Sequence, residues 1–513
     1  MRKTKFAKAL PIHFLGVSAV KKDMNEKFPA RIYKENVLAD CFEDAKRFFL
    51  QAYLDVDFAH AVMLAEQKII TENELKDLLK ALRSLDLDSI KRAEYDGTFE
   101  DLFYYLQREI TKFCDADTAG KLHTARSRND IDVTIYRLHL RQDTLKLVRS
   151  TMDLRRNLLD LAALHHETLI PAYTHTQPAQ PSTLAHFLLA MAENVGRDIR
   201  RLQRAFENMN LCPLGAGAIT TTGFPINRHR VAELLGFYAP TVNSYASIAS
   251  VDYFTETLGA TSALLVNIGK FAQEFLLMAT MEFDVIRLPD GYVQGSSIMP
   301  QKRNPVALEH IRAIGSKALG QCLGVMTSVH NTPFGDINDV EDDLQPLIYN
   351  AMRDANRSVA LFAGTLQSAT FNLETLRRRS SENFITVTEL ADTIVRRENL
   401  SFRLAHQIVG NCVKAAIENK SEITHKILQT VSREVLGREI AMSERELAET
   451  LSPENFVSIR TIYGGTAPSE TKRALNVERE HELTDEDWFQ NSTAFIENAQ
   501  IKLRNVVGKT IEK

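Results

Sequence analysis

No proline falls between Pro29 and Pro171, between Pro181 and Pro213, between Pro305 and Pro333, or between Pro346 and Pro453. Proline removes a backbone donor and clashes inside a helix, so these intervals are where long uninterrupted helices fit. Between Pro240 and Pro289, likewise free of proline, Leu264, Ile268, Phe271, Phe275 and Met278 recur at spacings of four and three, one stripe of a helix. Such a stripe serves equally as a seam between chains or as a chain's internal core. Alternation suited to long strands is scarce, and the chain is predicted to be all-α. Glycine, proline and short polar residues gather instead at 120–130, 171–181 and 289–305, turns that long helices can hold rigidly around a shared cavity.

With 513 residues the chain is long enough for several cores. A formal charge of -4 implies no general affinity for nucleic acid or anionic membrane, and no charge-free apolar run spans a bilayer. The cysteines, Cys41, Cys114, Cys212, Cys322 and Cys412, are far apart and show no CxxC spacing, which fits reduced thiols in a cytoplasmic protein. Lys3, Lys5 and Lys8 before the apolar stretch from Ala9 to Val20 resemble a signal peptide, but Pro11 and His13 interrupt it and Lys21 and Lys22 follow. No cleaved leader is expected.

Three segments carry chemistry. In Gly295–Pro305, GSSIMPQKRNP, a glycine and two serines make a turn, with Lys302 and Asn304 beside it. A serine serves as a base only if backbone N–H groups and a nearby cation stabilise its alkoxide in a dry site. Lys302 and Asn304 also suit a substrate carboxylate whose charge grows as a neighbouring proton leaves. The same residues equally suit a phosphate-binding turn or a helix cap. In KLHTARSRND, Lys121–Asp130, the fork of Arg128 with Ser127 and Asn129 matches carboxylates, while a charged loop capping a helix at Asn129 or Asp130 is the structural alternative. In AYTHTQPAQP, Ala172–Pro181, Thr174, His175 and Gln177 share a proline-flanked turn, and Glu309 on the helix after Pro305 is a candidate partner for His175. CPLGAGAITTTGFP, Cys212–Pro225, has Gly215 and Gly217 but lacks the third glycine and preceding strand of a dinucleotide fingerprint. His165-His166-Glu167 lacks the second helical histidine of a zinc protease motif.

Together these segments resemble the fumarase/aspartase superfamily and, within it, the argininosuccinate lyase family. GSSIMPQKRNP matches the superfamily signature GSSxMPxKxNP at each fixed position. HTARSRND is similar to the family's HTGRSRND, with Ala125 for glycine, and YTHTQPAQP to its YTHLQRAQP. PLGAGAITTTGFPINR and the late IYGGTAP, Ile462–Pro468, extend the likeness. The resemblance implies three helical domains, at 1–120, 121–375 and 376–513, the middle one a long bundle that assembles into a homotetramer with sites shared between subunits. It implies Ser296 as the base that takes the Cβ proton, with Lys302 and Asn304 supporting an aci-carboxylate. Ser127, Arg128, Asn129, Thr174 and Gln177 would bind substrate, and His175, paired with Glu309, would help protonate the departing nitrogen. Products would be fumarate and an amine or guanidine, with no metal and no organic cofactor.

The departures fall on the leaving-group half. The family's EDIH segment reads Glu100-Asp101-Leu102-Phe103, its SDRD-like segment reads Ser250-Val251-Asp252, and no match to its amino-terminal serine-and-aspartate segment stands out in 23–50. A missing imidazole or guanidinium changes what a ligand can bind. Argininosuccinate lyase chemistry leads. A sister C–N lyase on another N-succinyl amine, such as ethylenediamine-disuccinate, follows, and a crystallin-like structural protein is the reading from another class. HTARSRND points away from adenylosuccinate lyase.

Overall fold

The computed structural model describes residues 27–512, so the leader-like stretch at Ala9–Val20 lies outside the described residues. Five long helices form a closed ring: α1 (Arg128–Leu164), α2 (Leu184–Met209), α3 (Asp252–Met278), α4 (Val306–Val329) and α5 (Gln345–Gln367). Each occupies a proline-free interval or one whose only proline sits in its first turn, as Pro346 does in α5, where a missing N–H costs nothing.

Side-chain bonds set the directions. Arg137 of α1 donates to the carbonyl of Asn208 in α2, while Arg155 packs on Gly196, so α1 and α2 are antiparallel. Asn208–Glu256 and Asn267–Asp198 bonds make α2 and α3 antiparallel in turn. Ser150–Asn356 and Asn157–Ala363 bonds run in step, so α5 lies parallel to α1 and closes the ring. The stripe Leu264, Ile268, Phe275 and Met278 is buried inside this ring, with Phe271 packed beside it, so it is an internal core rather than a seam between chains.

A two-stranded hairpin, β1 (Leu169–Thr174) with β2 (Gln177–Thr183), caps the α1–α2 junction, a strand pair that the proline-flanked turn only hinted at. Its prolines are tolerated because a two-stranded ribbon has only edges. A second, smaller pair, β3 (Gln294–Gly295) with β4 (Arg303–Asn304), precedes α4. The chain builds two hydrophobic cores. Residues from Phe42 through Leu376 share one core, and a second is built between Leu390 and Leu447. The last helix, α6 (Pro468–Glu512), returns Ile496, Leu503 and Val507 to the first core. Arg155 of α1 anchors it through Glu478 at 2.8 Å and Asp485 at 2.5 Å.

The five cysteines are free thiols, with Cys212, Cys322 and Cys412 buried. Among the described residues no single helix is long and apolar enough to cross a membrane.

Candidate active site

Ser127 is the N-cap of α1. Its Oγ accepts from Asn129 N at 3.4 Å, and Asp130 reaches back to Ser127 N at 2.8 Å, a reciprocal cap that satisfies donors the helix start leaves open. The cap therefore falls at Ser127, not at Asn129 or Asp130. Asp130 is fully buried, and its second oxygen accepts from Gly215 N at 2.7 Å and Gly217 N at 2.9 Å. Burial pushes its carboxyl up to about 6, against the pull of those N–H groups. Both glycines stand at positive φ, 87° and 60°, where a Cβ would meet Arg228 at 2.7 Å and the Thr221 carbonyl at 2.9 Å. The PLGAGA glycines are thus a cradle for Asp130, which the spacing alone did not reveal.

Arg128 projects from the same turn, where it donates to Asp101 at 2.7 Å and pairs with Glu100 at 2.9 Å, over the ring of Tyr104. Asn129 donates to the Ala218 carbonyl at 3.1 Å. Behind them Arg126 is buried against Asp57 at 2.6 Å. Phe103 is buried beside Arg126 and packs on His123 with ring centroids 5.0 Å apart. It is a wall of this core, so the residue in the family's histidine position is taken out of solvent. Val251 is likewise half-buried against the core, at the N-cap of α3. Glu341, whose carboxyl is pushed up to about 8 by burial, by Asp336 and by Asp342, lies within electrostatic reach of Arg128.

Thr174, His175 and Gln177 occupy the exposed tip of the hairpin at the far end of α1. His175 and Thr176 form a two-residue turn, with φ of 49° and 62°. Primed hairpin turns need this left-handed backbone and usually take asparagine and glycine. A β-branched threonine there is strained, a feature that concentrates at functional sites.

Ser296 opens the loop between β3 and β4, half-buried, and its Oγ accepts from Met299 N at 3.1 Å and Ile298 N at 3.3 Å. Lys302 is exposed, and its N–H donates to the Met299 carbonyl at 3.0 Å. Asn304 pairs with Gln294 across the ribbon, and Arg303 ties the loop to Asp290 and to the Leu288 carbonyl. Glu309 is exposed in the first turn of α4. His175 and Glu309 share no hydrogen bond or ion pair within the chain, so the expected pairing is not made inside one subunit.

The chain thus gathers Ser127, Arg128 and Asn129 at one end of the bundle. The hairpin tip and the Ser296 loop lie at the other: Tyr173 contacts Phe283 beyond the end of α3, with centroids 6.3 Å apart. The 37 residues of α1 separate the two ends by about 55 Å at 1.5 Å per residue. One chain cannot bring the three segments to one substrate.

The lyase family profile matches residues 44–320, and an argininosuccinate lyase C-terminal profile matches residues 384–458. The chain belongs to the argininosuccinate lyase family. It is 40% identical over 454 residues to argininosuccinate lyase 2 of Agrobacterium fabrum, covering 88% of this chain and 90% of that one. It is 37% identical over 436 residues to the argininosuccinate lyase of Methanosarcina mazei, covering 84% and 87%. Among solved structures, ethylenediamine-disuccinate (EDDS) lyase in complex with formate superposes with a TM-score of 0.84 at 30% identity, over 92% of this chain and 93% of that one. A class II fumarase from Schistosoma mansoni, at 15% identity and a TM-score of 0.64, shares the fold. As a member of this family the chain is a carbon–nitrogen lyase of the fumarase/aspartase superfamily.

Proposed function

We propose that the protein cleaves L-argininosuccinate to fumarate and L-arginine, in the cytoplasm, as a homotetramer whose sites are shared between subunits. The observation that carries the chemistry is Ser296 Oγ, which already receives two backbone N–H groups. Donors so arranged stabilise an alkoxide and bring a serine within range of proton abstraction. Ser296 removes the Cβ proton. The electron pair passes into the adjacent carboxylate as an aci-carboxylate, supported by Lys302 and Asn304. Collapse of that intermediate breaks the C–N bond, and His175, paired with Glu309 of another subunit, helps deliver a proton to the departing nitrogen. Ser127, Arg128 and Asn129, with Thr174 and Gln177, hold the substrate's carboxylates. The roughly 55 Å between the ends of α1 supports shared sites, since only another subunit can supply the missing segment.

A second reading is a sister lyase on another N-succinyl amine. It is favoured by the burial of Phe103, the half-burial of Val251 and the likeness to EDDS lyase. Incubating the full chain with argininosuccinate, adenylosuccinate and ethylenediamine-disuccinate, and following fumarate by its ultraviolet absorbance, separates the two. Argininosuccinate is expected to give the fastest release. Faster release from another substrate overturns the leaving group, and no release from any of them overturns the chemistry. Light scattering tests the assembly, which an active monomer would contradict.

A further inference from the structure

Away from these segments, a cavity of about 560 Å³ lies between α6, α1 and the helices Leu50–Glu66, Glu72–Arg83 and Arg228–Leu235. That volume is typical of small-ligand pockets. Its walls are largely apolar, Leu138 and Leu503 among them, yet Asp55, Arg83, Arg141 and Arg504 also line it. Arg141 is 2% exposed. It spends its terminal nitrogens on Asn210 Oδ1 and on the carbonyls of Leu235 and Gly236, which leaves its buried Nε without a partner. Its charge nonetheless lies within electrostatic reach of Asp55 on the same wall. Neither the Arg83 nor the Arg504 side chain makes a hydrogen bond or ion pair to another described residue. Asp55 Oδ1 accepts from Gln51 at 3.0 Å, and Oδ2 is left for another donor.

Three guanidinium groups against the one carboxylate of Asp55 give the cavity an excess of positive charge over apolar walls. We propose that this cavity binds an α-amino acid with an apolar side chain. Its carboxylate would be held by Arg504 and Arg141, its ammonium by Asp55, and its side chain by the leucines. The cavity lies between α6, the amino-terminal half of α1 and the three shorter helices, and none of its lining residues belongs to the three segments of the active site.

L-phenylalanine titrated into the full chain by calorimetry is expected to show one saturable site. Asp55→Asn and Arg504→Gln should each weaken that site about tenfold, the scale of one charge-assisted contact, with fumarate release from argininosuccinate unchanged. Octanoate, which lacks the ammonium, and phenethylamine, which lacks the carboxylate, should bind more weakly than L-phenylalanine. Octanoate binding as tightly overturns the role of Asp55 and with it the amino-acid class. Absence of saturable heat overturns the site itself, as does unchanged binding in both variants. Loss of binding when the enzyme is saturated with argininosuccinate would put the ligand in the substrate site and overturn the proposal as well.

Discussion

At the Ser127 end of the bundle, the groups proposed to face a substrate are held by others behind them. Asp130 is buried under three backbone donors, Arg126 is locked to Asp57, and Arg128 is steadied by Asp101 and Glu100. At the other end His175 stands on a two-residue turn, and Ser296 and Lys302 ride on a loop closed by two residue pairs of one short ribbon and the ties of Arg303. On the proposed function, the first end would pre-organise binding and the second would present reactive groups that close against another subunit. Rigid support suits a residue that must recognise a fixed charge pattern, while a lightly tethered loop suits one that must exclude water after the substrate arrives. The two ends should therefore respond differently to substitution: loss of chemistry without loss of stability at one, and loss of both at the other.

The largest expected effect is at the loop. Ser296→Ala should lower kcat by about a thousandfold or more, because it removes the proton acceptor, while the thermal midpoint and the oligomeric mass stay unchanged. Fumarate absorbance and light scattering on the same preparation check it. Turnover close to wild type would end the assignment of Ser296 as base.

Asp130→Ala tests the opposite end. It leaves Ser127 N, Gly215 N and Gly217 N without their acceptor in a buried place, at a cost of roughly 3 kcal/mol. Chemical denaturation should show that loss, and argininosuccinate KM should rise as the Ser127–Asn129 turn loosens. A variant as stable as wild type would mean that the cradle is dispensable and the contrast between the ends false.

A subtler contrast lies in pH. Glu341 is pushed up to about 8 by burial and the neighbouring carboxylates, from an ordinary 4.5. The folded chain then holds the proton more tightly than the unfolded chain, so this group's contribution to stability declines as pH rises from about 4.5 to about 8. Glu341→Gln should flatten the fall of the melting temperature over that window. An unchanged slope would show that Glu341 is not the group responsible.

Much of this arrangement was legible from spacing. The proline-free intervals located α1 to α5, because a missing backbone donor is a local fact that any fold must respect. The stripe from Leu264 to Met278 gave a helical face but not its partner, since periodicity reports that a face is apolar and not what covers it. The hairpin around His175 was obscured because prolines at 171, 178 and 181 argue against strands unless both are edges. The role of Asp130 was hidden for a different reason: its partners Gly215 and Gly217 lie far along the chain, and a buried carboxylate among backbone donors leaves no pattern in sequence. The return of α6 to the first core leaves no local pattern either, because its pairing with Arg155 is long-range.

The smallest effect concerns the residue that sets this chain's first motif apart from the family's. Ala125 stands at φ 62°, a left-handed backbone in which a Cβ crowds the adjoining carbonyl and which glycine adopts freely. The turn keeps this conformation because the structure on both sides fixes it, with Arg126 buried against Asp57 and Ser127 capping α1. Ala125→Gly relieves the strain but frees the unfolded chain, so the two effects partly cancel and a gain of about 1 kcal/mol is expected. If the Ser127 end is as fixed as its hydrogen bonds indicate, kcat and KM should stay at the wild-type values while the denaturation midpoint rises. A changed KM would show instead that the strain at Ala125 bears on how Arg128 and Asn129 meet the substrate, and that this end is tuned as well as supported.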